Sequence, residues 1–217
     1  MITDSTKRIW AGRTSRRRFL RRSPYFFAAC GFAACSQATK PTVKGQTQPQ
    51  ASSARLSPTP ACEGHTLTPS QTAGPFYTPN SPQRQSLLSS ETVGTRLTLT
   101  GKVLSTDCTP LDNSLVDVWQ ADAQGTYDNE GNKLRGHQFT DNEGRYRIET
   151  IVPGLYPGRT RHLHIKVQAP NYSILTTQLY LPNEPLNERD FLFQSALLMV
   201  VQDTPDGKQA QFDFVLS

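Results

Sequence analysis

From about Thr95 to the C-terminus, apolar residues recur at every second position in short runs, separated by turn-forming residues. Thr95–Leu104 places Leu97, Leu99 and Val103 on one face, with Gly101 between. Leu115–Trp119 sets Val116 and Val118 against Leu115, Asp117 and Trp119, and Tyr146, Ile148 and Thr150 alternate with charged neighbours. His162–Val167, Leu175–Leu181, Ala196–Val201 and Gln211–Leu216 continue the pattern, with Phe212, Phe214 and Leu216 on a common face. A period of two is the signature of half-buried strands. Asp107–Asp112, Asp141-Asn-Glu-Gly144, Pro153-Gly154, Pro157-Gly158 and Asp203–Gly207 supply the turns. No amphipathic run of helical length competes. The pattern predicts an all-β fold, an antiparallel β-sandwich of six to eight short strands with long loops. The tetrad Asp-Asn-Glu-Gly occurs at 128–131 and 141–144 without the spacing of a calcium loop, so it reads as turn chemistry.

The pattern fades before residue 67. Residues 36–66 are rich in Ser, Thr, Gln, Pro and Ala, too polar to offset their ordering entropy, and are expected to form a flexible linker. Residues 1–35 are expected to be a signal peptide. Ser15-Arg16-Arg17-Arg18-Phe19-Leu20 resembles a twin-arginine export signal, and the apolar run at 24–34 falls short of the about 20 residues a membrane span needs. Phe27-Ala-Ala-Cys30 and Phe32-Ala-Ala-Cys35 each resemble a lipobox, and Cys35, followed at once by polar chain, is the expected lipid anchor. The protein is then an exported bacterial one, periplasmic or on the cell surface, meeting the membrane only through its lipid. Residues 67–217 suffice for one domain with a core.

The net charge of +5 belongs to the leader, whose eight basic residues and one acid leave 15 basic and 17 acidic residues for 36–217. No cationic surface remains to suggest nucleic acid. Beyond the leader stand Cys62 and Cys108, which in an oxidising compartment either pair or stay free.

The chemistry concentrates in Tyr156-Pro-Gly-Arg-Thr-Arg-His-Leu-His164. On a strand, His162 and His164 share a face while Leu163, Ile165 and Val167 enter the core. Two solvated histidines are one reading and a bidentate metal clamp is the other. No Cys or carboxylate accompanies the pair locally, which argues against structural zinc or a two-His-one-carboxylate iron site. Tyr156 is the informative neighbour. A phenol ligates only after losing a proton, and a hard, highly charged cation such as Fe(III) drives that loss.

A second tyrosine lies in Val118-Trp-Gln-Ala-Asp-Ala123, continued by Gly125-x-Tyr127. With Arg135-Gly136, Thr140–Tyr146, Thr150–Gly154, Tyr156-Pro157, His162-Leu-His164 and Leu175–Tyr180 in order, this resembles the intradiol ring-cleavage dioxygenases. The resemblance spans nearly all of residues 68–217. It implies one non-haem Fe(III) held by Tyr127, Tyr156, His162 and His164, with no organic cofactor. It further implies that a small aromatic diol and O2 are the substrates and a muconate-type diacid the product. Tyr156 matches the tyrosine that leaves the metal and acts as base, and Arg159 the arginine that stabilises charge on the ring. Gln178 matches a glutamine beside the pocket, and Gly74-Pro75-Phe76-Tyr77 the substrate-side entry segment, among the long active-site loops. Trp119 is expected in the core, and His65 and His137 carry no assigned role.

Two departures qualify the resemblance. Only five residues separate Tyr156 from His162, where many members carry a longer loop, so the choice of diol stays open. Arg161 stands where a small residue is common, and either binds a substrate carboxylate, meets solvent or pairs with an acid. Subunit number stays open, with a homo-oligomer allowed. A non-catalytic module binding carbohydrate or metal is the alternative, since sandwiches on tethers also serve that purpose.

Overall fold

The computed structural model describes residues 66–217. The expected leader at 1–35 with Cys30 and Cys35, the linker up to its last residue, Cys62 and His65 lie outside the described residues. The proposed Cys62–Cys108 pair therefore has one partner outside them; Cys108 itself is exposed in the turn after the first strand.

Among the described residues there are nine strands: β1 (Arg96–Ser105), β2 (Leu115–Trp119), β3 (Arg135–Phe139), β4 (Arg145–Ile151), β5 (His162–Gln168), β6 (Leu175–Tyr180), β7 (Val200–Thr204), β8 (Gly207–Gln211) and β9 (Phe214–Leu216). They form two sheets. One has the order β4-β1-β8-β7, with β9 also pairing β1, and the other the order β3-β2-β5-β6. Pairing within these sheets is antiparallel except for β1 with β8 and with β9, which run parallel. The only helical pieces among the described residues are two 3₁₀ turns, Asn187–Arg189 and Ser195–Leu197.

The core follows from the alternation. Leu97, Leu99 and Val103 of β1 and Tyr146 and Ile148 of β4 are buried with Val116, Val118, Leu163, Ile165 and Val167 of the other sheet. Burial of each large aliphatic side chain contributes about 1.5–3 kcal/mol. Sheet register then decides what the opposite face carries. Trp119 lies opposite His164, His164 opposite Gln178, and His162 opposite Tyr180. Directly opposed residues point the same way, so these five side chains share the face turned away from the core.

That face is covered, and here the sequence pattern misleads. Alternation predicts a half-buried β5, yet His162 and His164 are only 4% and 3% exposed. The segment before β1 lies across the sheet: Gln71 N donates to Thr176 O at 2.7 Å, Gln178 Nε2 to Thr72 O at 3.0 Å, and Arg84 N to His137 O at 2.9 Å. Three other boundaries differ. β3 is a strand without a periodic sequence signal, since Arg135-Gly-His-Gln-Phe139 has no apolar alternation. Residues 196–201 begin as a 3₁₀ turn, and only Val200 and Val201 are strand. The run 211–216 divides between β8 and β9. At the break the Asp213 carboxylate accepts the β1 hydrogen bond from Lys102 N at 2.8 Å. Both Asp-Asn-Glu-Gly tetrads are turns in which the Asp carboxylate accepts backbone N–H groups, from Glu130 and Gly131 and from Glu143 and Arg145.

Candidate metal centre

On the covered face the two imidazoles meet edge to face, with Nε2 atoms 3.2 Å apart, and Tyr127 Oη lies 3.3 Å from His162 Nε2. His162 Nδ1 is 2.7 Å from Thr160 O. A carbonyl only accepts, so Nδ1 carries the proton and Nε2 keeps its lone pair for a ligand. His164 is held differently. Its ring stacks on Trp119 at 5.0 Å and 6°, and its Nδ1 is buried without a hydrogen-bond partner, as is Trp119 Nε1. Trp119 is thus buried, as expected, but in a small cluster with Ala121 and Tyr127 on the outer face, where it is the platform for one imidazole.

The two tyrosines come from two loops packed against each other. Gln120, at the end of β2, accepts from Thr150 Oγ1 and donates to Ile151 O, tying the first loop to the end of β4. Asp122 then turns the chain by accepting from Gln124 N and Thr126 N, and Gly154 N donates to Asp122 O at 2.7 Å. Two glycines permit the approach. A Cβ on Gly154 would stand 2.3 Å from Gly125 N, and one on Gly125, at φ 84°, 2.1 Å from Leu155 O. The Tyr127 ring is buried and the Tyr156 ring half-buried, edge-on to it at 5.8 Å. Phe76 stacks on Tyr127 at 4.4 Å and meets Tyr156 edge-on at 5.4 Å.

Of the entry segment, Gly74 and Phe76 lie against the donors. A Cβ on Gly74 would be 3.1 Å from His164 Cε1. Tyr77 packs on Trp119 at 4.7 Å, with Lys166 Nζ 3.9 Å above its ring. Gln178 accepts from Arg159 Nη2 at 2.7 Å, and Arg159 Nε reaches both oxygens of Asp190, at 3.0 and 2.8 Å. Arg161 donates to Pro153 O at 2.5 Å and pairs with Glu184 at 3.3 Å, the acid-pairing option of the three. His137 accompanies Ser81 and Asp117, with Ser81 Oγ 3.0 Å from His137 Nδ1 and 2.7 Å from Asp117 Oδ1, away from the imidazole pair.

Several supporting residues gave no sequence signal as such. Arg135, only 2% exposed, donates to Phe76 O at 2.6 Å and to Asp128 O at 2.8 Å, so it buttresses Tyr127 from both sides. Tyr180, opposite His162, donates to Gln71 Oε1 at 2.8 Å. Asp190 and Asn187 lie in a stretch without periodicity. Arg135 and Tyr180 stand inside segments that carry the family resemblance, Arg135-Gly136 and Leu175–Tyr180, and Asp190 and Asn187 do not.

The donor set suits a hard cation. Burial pushes the Tyr127 phenol up to about 12, against the pull of Arg159 and Arg135. Burial holds His162 down at about 4, and holds His164 well below the usual range. Both imidazoles are neutral at neutral pH, the form that ligates. Donors at adjacent corners about 2.1 Å from one cation lie about 3 Å apart, close to the spacing of the two Nε2 atoms. Among the described residues no group of three or more His, Cys, Asp or Glu is placed to hold a metal ion, and the phenol nearest the imidazoles is Tyr127.

Two imidazoles and the Tyr127 phenol thus meet on the covered face of a two-sheet sandwich, with the Tyr156 ring edge-on to Tyr127, a histidine–tyrosine site. The chain belongs to the intradiol ring-cleavage dioxygenase family: the family model described as Dioxygenase matches residues 72–217. It is 39% identical over 122 residues to a protocatechuate 3,4-dioxygenase beta chain from Burkholderia cepacia, covering 48% of this chain and 52% of that one. It is 28% identical over 166 residues to a hydroxyquinol 1,2-dioxygenase from Rhizobium sp. (strain MTP-10005), covering 64% and 56%. The chain thus spans about half the length of these curated relatives. Among solved structures, the dioxygenase domain of a dioxygenase carbohydrate-binding protein fusion from Streptomyces sp. SirexAA-E matches with TM-score 0.69 and 53% identity. That match covers 70% of this chain and 99% of the other.

Proposed function

We propose that the protein cleaves the ring of a small catechol-type diol with O2, between the two hydroxylated carbons. Both oxygen atoms enter the product, a muconate-type diacid. The reaction would use one ferric ion held by Tyr127, Tyr156, His162 and His164. The observation that carries this reading is that His162 Nε2 lies 3.3 Å from Tyr127 Oη and 3.2 Å from His164 Nε2. A phenol whose pKa is about 12 gives up its proton only beside a strongly charged cation, which favours Fe(III) over softer ions. Bound ferric iron supplies Lewis acidity that withdraws electron density from the diol and opens it to O2.

The chain's own groups do the rest. Tyr156, half-buried on a loop held by Gly125 and Gly154, takes a diol proton on Oη as a positioned base. The Arg159 guanidinium, fixed by Gln178 and Asp190, stabilises the anionic ring as oxygen adds. Phe76 and Gly74 form the wall that orients the diol and excludes water from one side.

The test is metal analysis and the visible spectrum of protein from iron-replete cells, before and after adding catechol, protocatechuate or hydroxyquinol. Phenolate-to-iron charge transfer should colour the protein, and a diol should shift the band. Oxygen uptake should disappear in Tyr156→Phe and His162→Ala. A colourless, iron-free preparation would sink the reading, and stoichiometric iron without oxygen uptake on any diol would favour iron sequestration.

The setting is part of the same proposal and rests on sequence alone: export through the twin-arginine route and lipidation at Cys35, with Cys30 as the competing site. Incorporation of labelled palmitate should be lost in Cys35→Ser and retained in Cys30→Ser.

A further inference from the structure

We propose that Asp190 is the positioning residue of the site, fixing Arg159 against the pocket and, through the backbone of Thr160, the orientation of His162. This rests on the reading of Arg159 and His162 given above. Asp190 and Arg159 form a buried pair, with side chains 1% and 13% exposed. Both carboxylate oxygens of Asp190 contact Arg159 Nε, at 3.0 and 2.8 Å. The same carboxylate accepts from Thr160 N at 2.9 Å and from Leu192 N at 3.0 Å. The Thr160 residue is therefore gripped at its N–H by Asp190, while its carbonyl oxygen accepts from His162 Nδ1 at 2.7 Å. Thr160 Oγ1 also donates to Asn187 Oδ1 at 2.8 Å, and Asn187 Nδ2 to Leu181 O at 2.9 Å, which fixes the 187–190 turn to the end of β6.

Arg159 is held on its far side by Gln178 Oε1 at 2.7 Å, and Gln178 stands opposite His164 in the sheet. Nε and Nη2 are thus committed to Asp190 and Gln178, and no hydrogen bond to the described residues engages Nη1. A planar guanidinium pinned at two of its three nitrogens has one orientation left. The remaining N–H groups are available for an anionic ligand beside the imidazoles. Asp190 hydrogen-bonds to none of the four proposed iron ligands, and its hydrogen bonds reach the site through Arg159 and Thr160. Burial makes the pair costly to break by halves, because the survivor is left as an unpaired charge.

The experiment compares wild type, Asp190→Asn, Asp190→Glu, Arg159→Gln and the Asp190→Asn/Arg159→Gln double variant. Asp190→Asn is expected to keep its iron stoichiometry and lower kcat/KM by about 10- to 100-fold, the scale of an ångström-level misplacement. Asp190→Glu, which restores the charge, should recover part of the loss. In the Arg159→Gln background, Asp190→Asn should cost several-fold less than it does in wild type, because the Arg159 route is already lost and only the Thr160 contact remains. Full additivity, or wild-type kcat/KM in Asp190→Asn, would overturn the proposal. A readout independent of turnover is the Arg159 Nε–H resonance of the iron-free protein. It should be protected from solvent exchange in wild type and lose that protection in Asp190→Asn. If wild type consumes no oxygen, the catalytic reading fails while this resonance still decides the positioning claim. If Asp190→Asn does not fold, a wild-type Nε–H that exchanges as fast as free arginine overturns it.

Discussion

At His162 and His164, burial and proton affinity act in the same direction, and a pH dependence follows. Burial is the main reason that His162 is held at about 4 and His164 well below its usual value. In the unfolded chain both titrate near 6.5. Below that pH the unfolded chain binds protons that the folded iron-free protein refuses. Stability is therefore fully present above about 6.5 and is lost as pH falls toward 4. For His162 alone the full shift is worth about 3 kcal/mol. Urea titrations of the iron-free protein should show a clearly lower midpoint at pH 5 than at pH 7. An unchanged midpoint would mean that the imidazoles are more solvated than their burial implies. Gly74 makes a second residue-scale case. It sits at φ 68°, where an added Cβ costs about 1 kcal/mol and would press on His164 Cε1 at 3.1 Å. Gly74→Ala should weaken diol binding about tenfold, the factor of a 1.4 kcal/mol penalty. Spectral titration of the iron-loaded protein under nitrogen would measure it, and wild-type affinity would remove Gly74 from the pocket wall.

Elements supply what single residues cannot, namely the alignment of donors far apart in sequence. The strand carrying both imidazoles was legible because His162-Leu-His164-Ile-Lys-Val167 alternates, and period two places the histidines on one face whatever the partner strands. The two tyrosines were legible only through the motifs around them, because loops carry no periodicity. β3 and β8 were invisible, since Arg135–Phe139 and Gly207–Gln211 hold few apolar side chains and owe their places to neighbours. The burial of the histidine face was equally hidden: it is imposed by a segment some ninety residues upstream, held to β6 by one backbone hydrogen bond and by the side chains of Thr177 and Gln178. Gly125 and Gly154 join the tyrosine loops by backbone contact alone. Gly154→Ala would drive Cβ to 2.3 Å from Gly125 N and 2.6 Å from Ala123 O, neither of them able to swing aside. It should cost about 1–3 kcal/mol, the usual range for overpacking, and lower iron occupancy at limiting metal. Chemical unfolding with iron analysis checks both. A stable variant with full iron would show that the loops need not touch to align Tyr127 and Tyr156.

The whole molecule separates its stabilising layer from its reactive one. The core lies between the sheets, while the imidazoles, phenols and Arg159 lie on the outer face of β5, β6 and the loops beside them. Ile148 of β4 illustrates the division. It is fully buried, faces Leu99 across the β1–β4 ladder, and belongs to the sheet that contributes no proposed ligand. Truncation to Ala removes three carbons from a packed interior, which costs about 2–5 kcal/mol depending on how far the surroundings relax. If the layers are mechanically independent, Ile148→Ala should lower the unfolding free energy from urea titration by that amount. Its kcat with catechol at 25 °C, in protein that is still fully folded, should stay within about twofold of wild type, because ΔΔG in the core does not enter the barrier unless geometry at the site moves. His162→Ala should instead abolish iron binding and turnover. It should cost the iron-free protein at pH 7 about 1–3 kcal/mol, because Thr160 O loses its buried partner. Oxygen uptake and unfolding curves on the same two preparations decide the matter. A parallel loss of kcat in Ile148→Ala would show that packing between the sheets sets the register of β5, and that the outer face inherits its precision from the core.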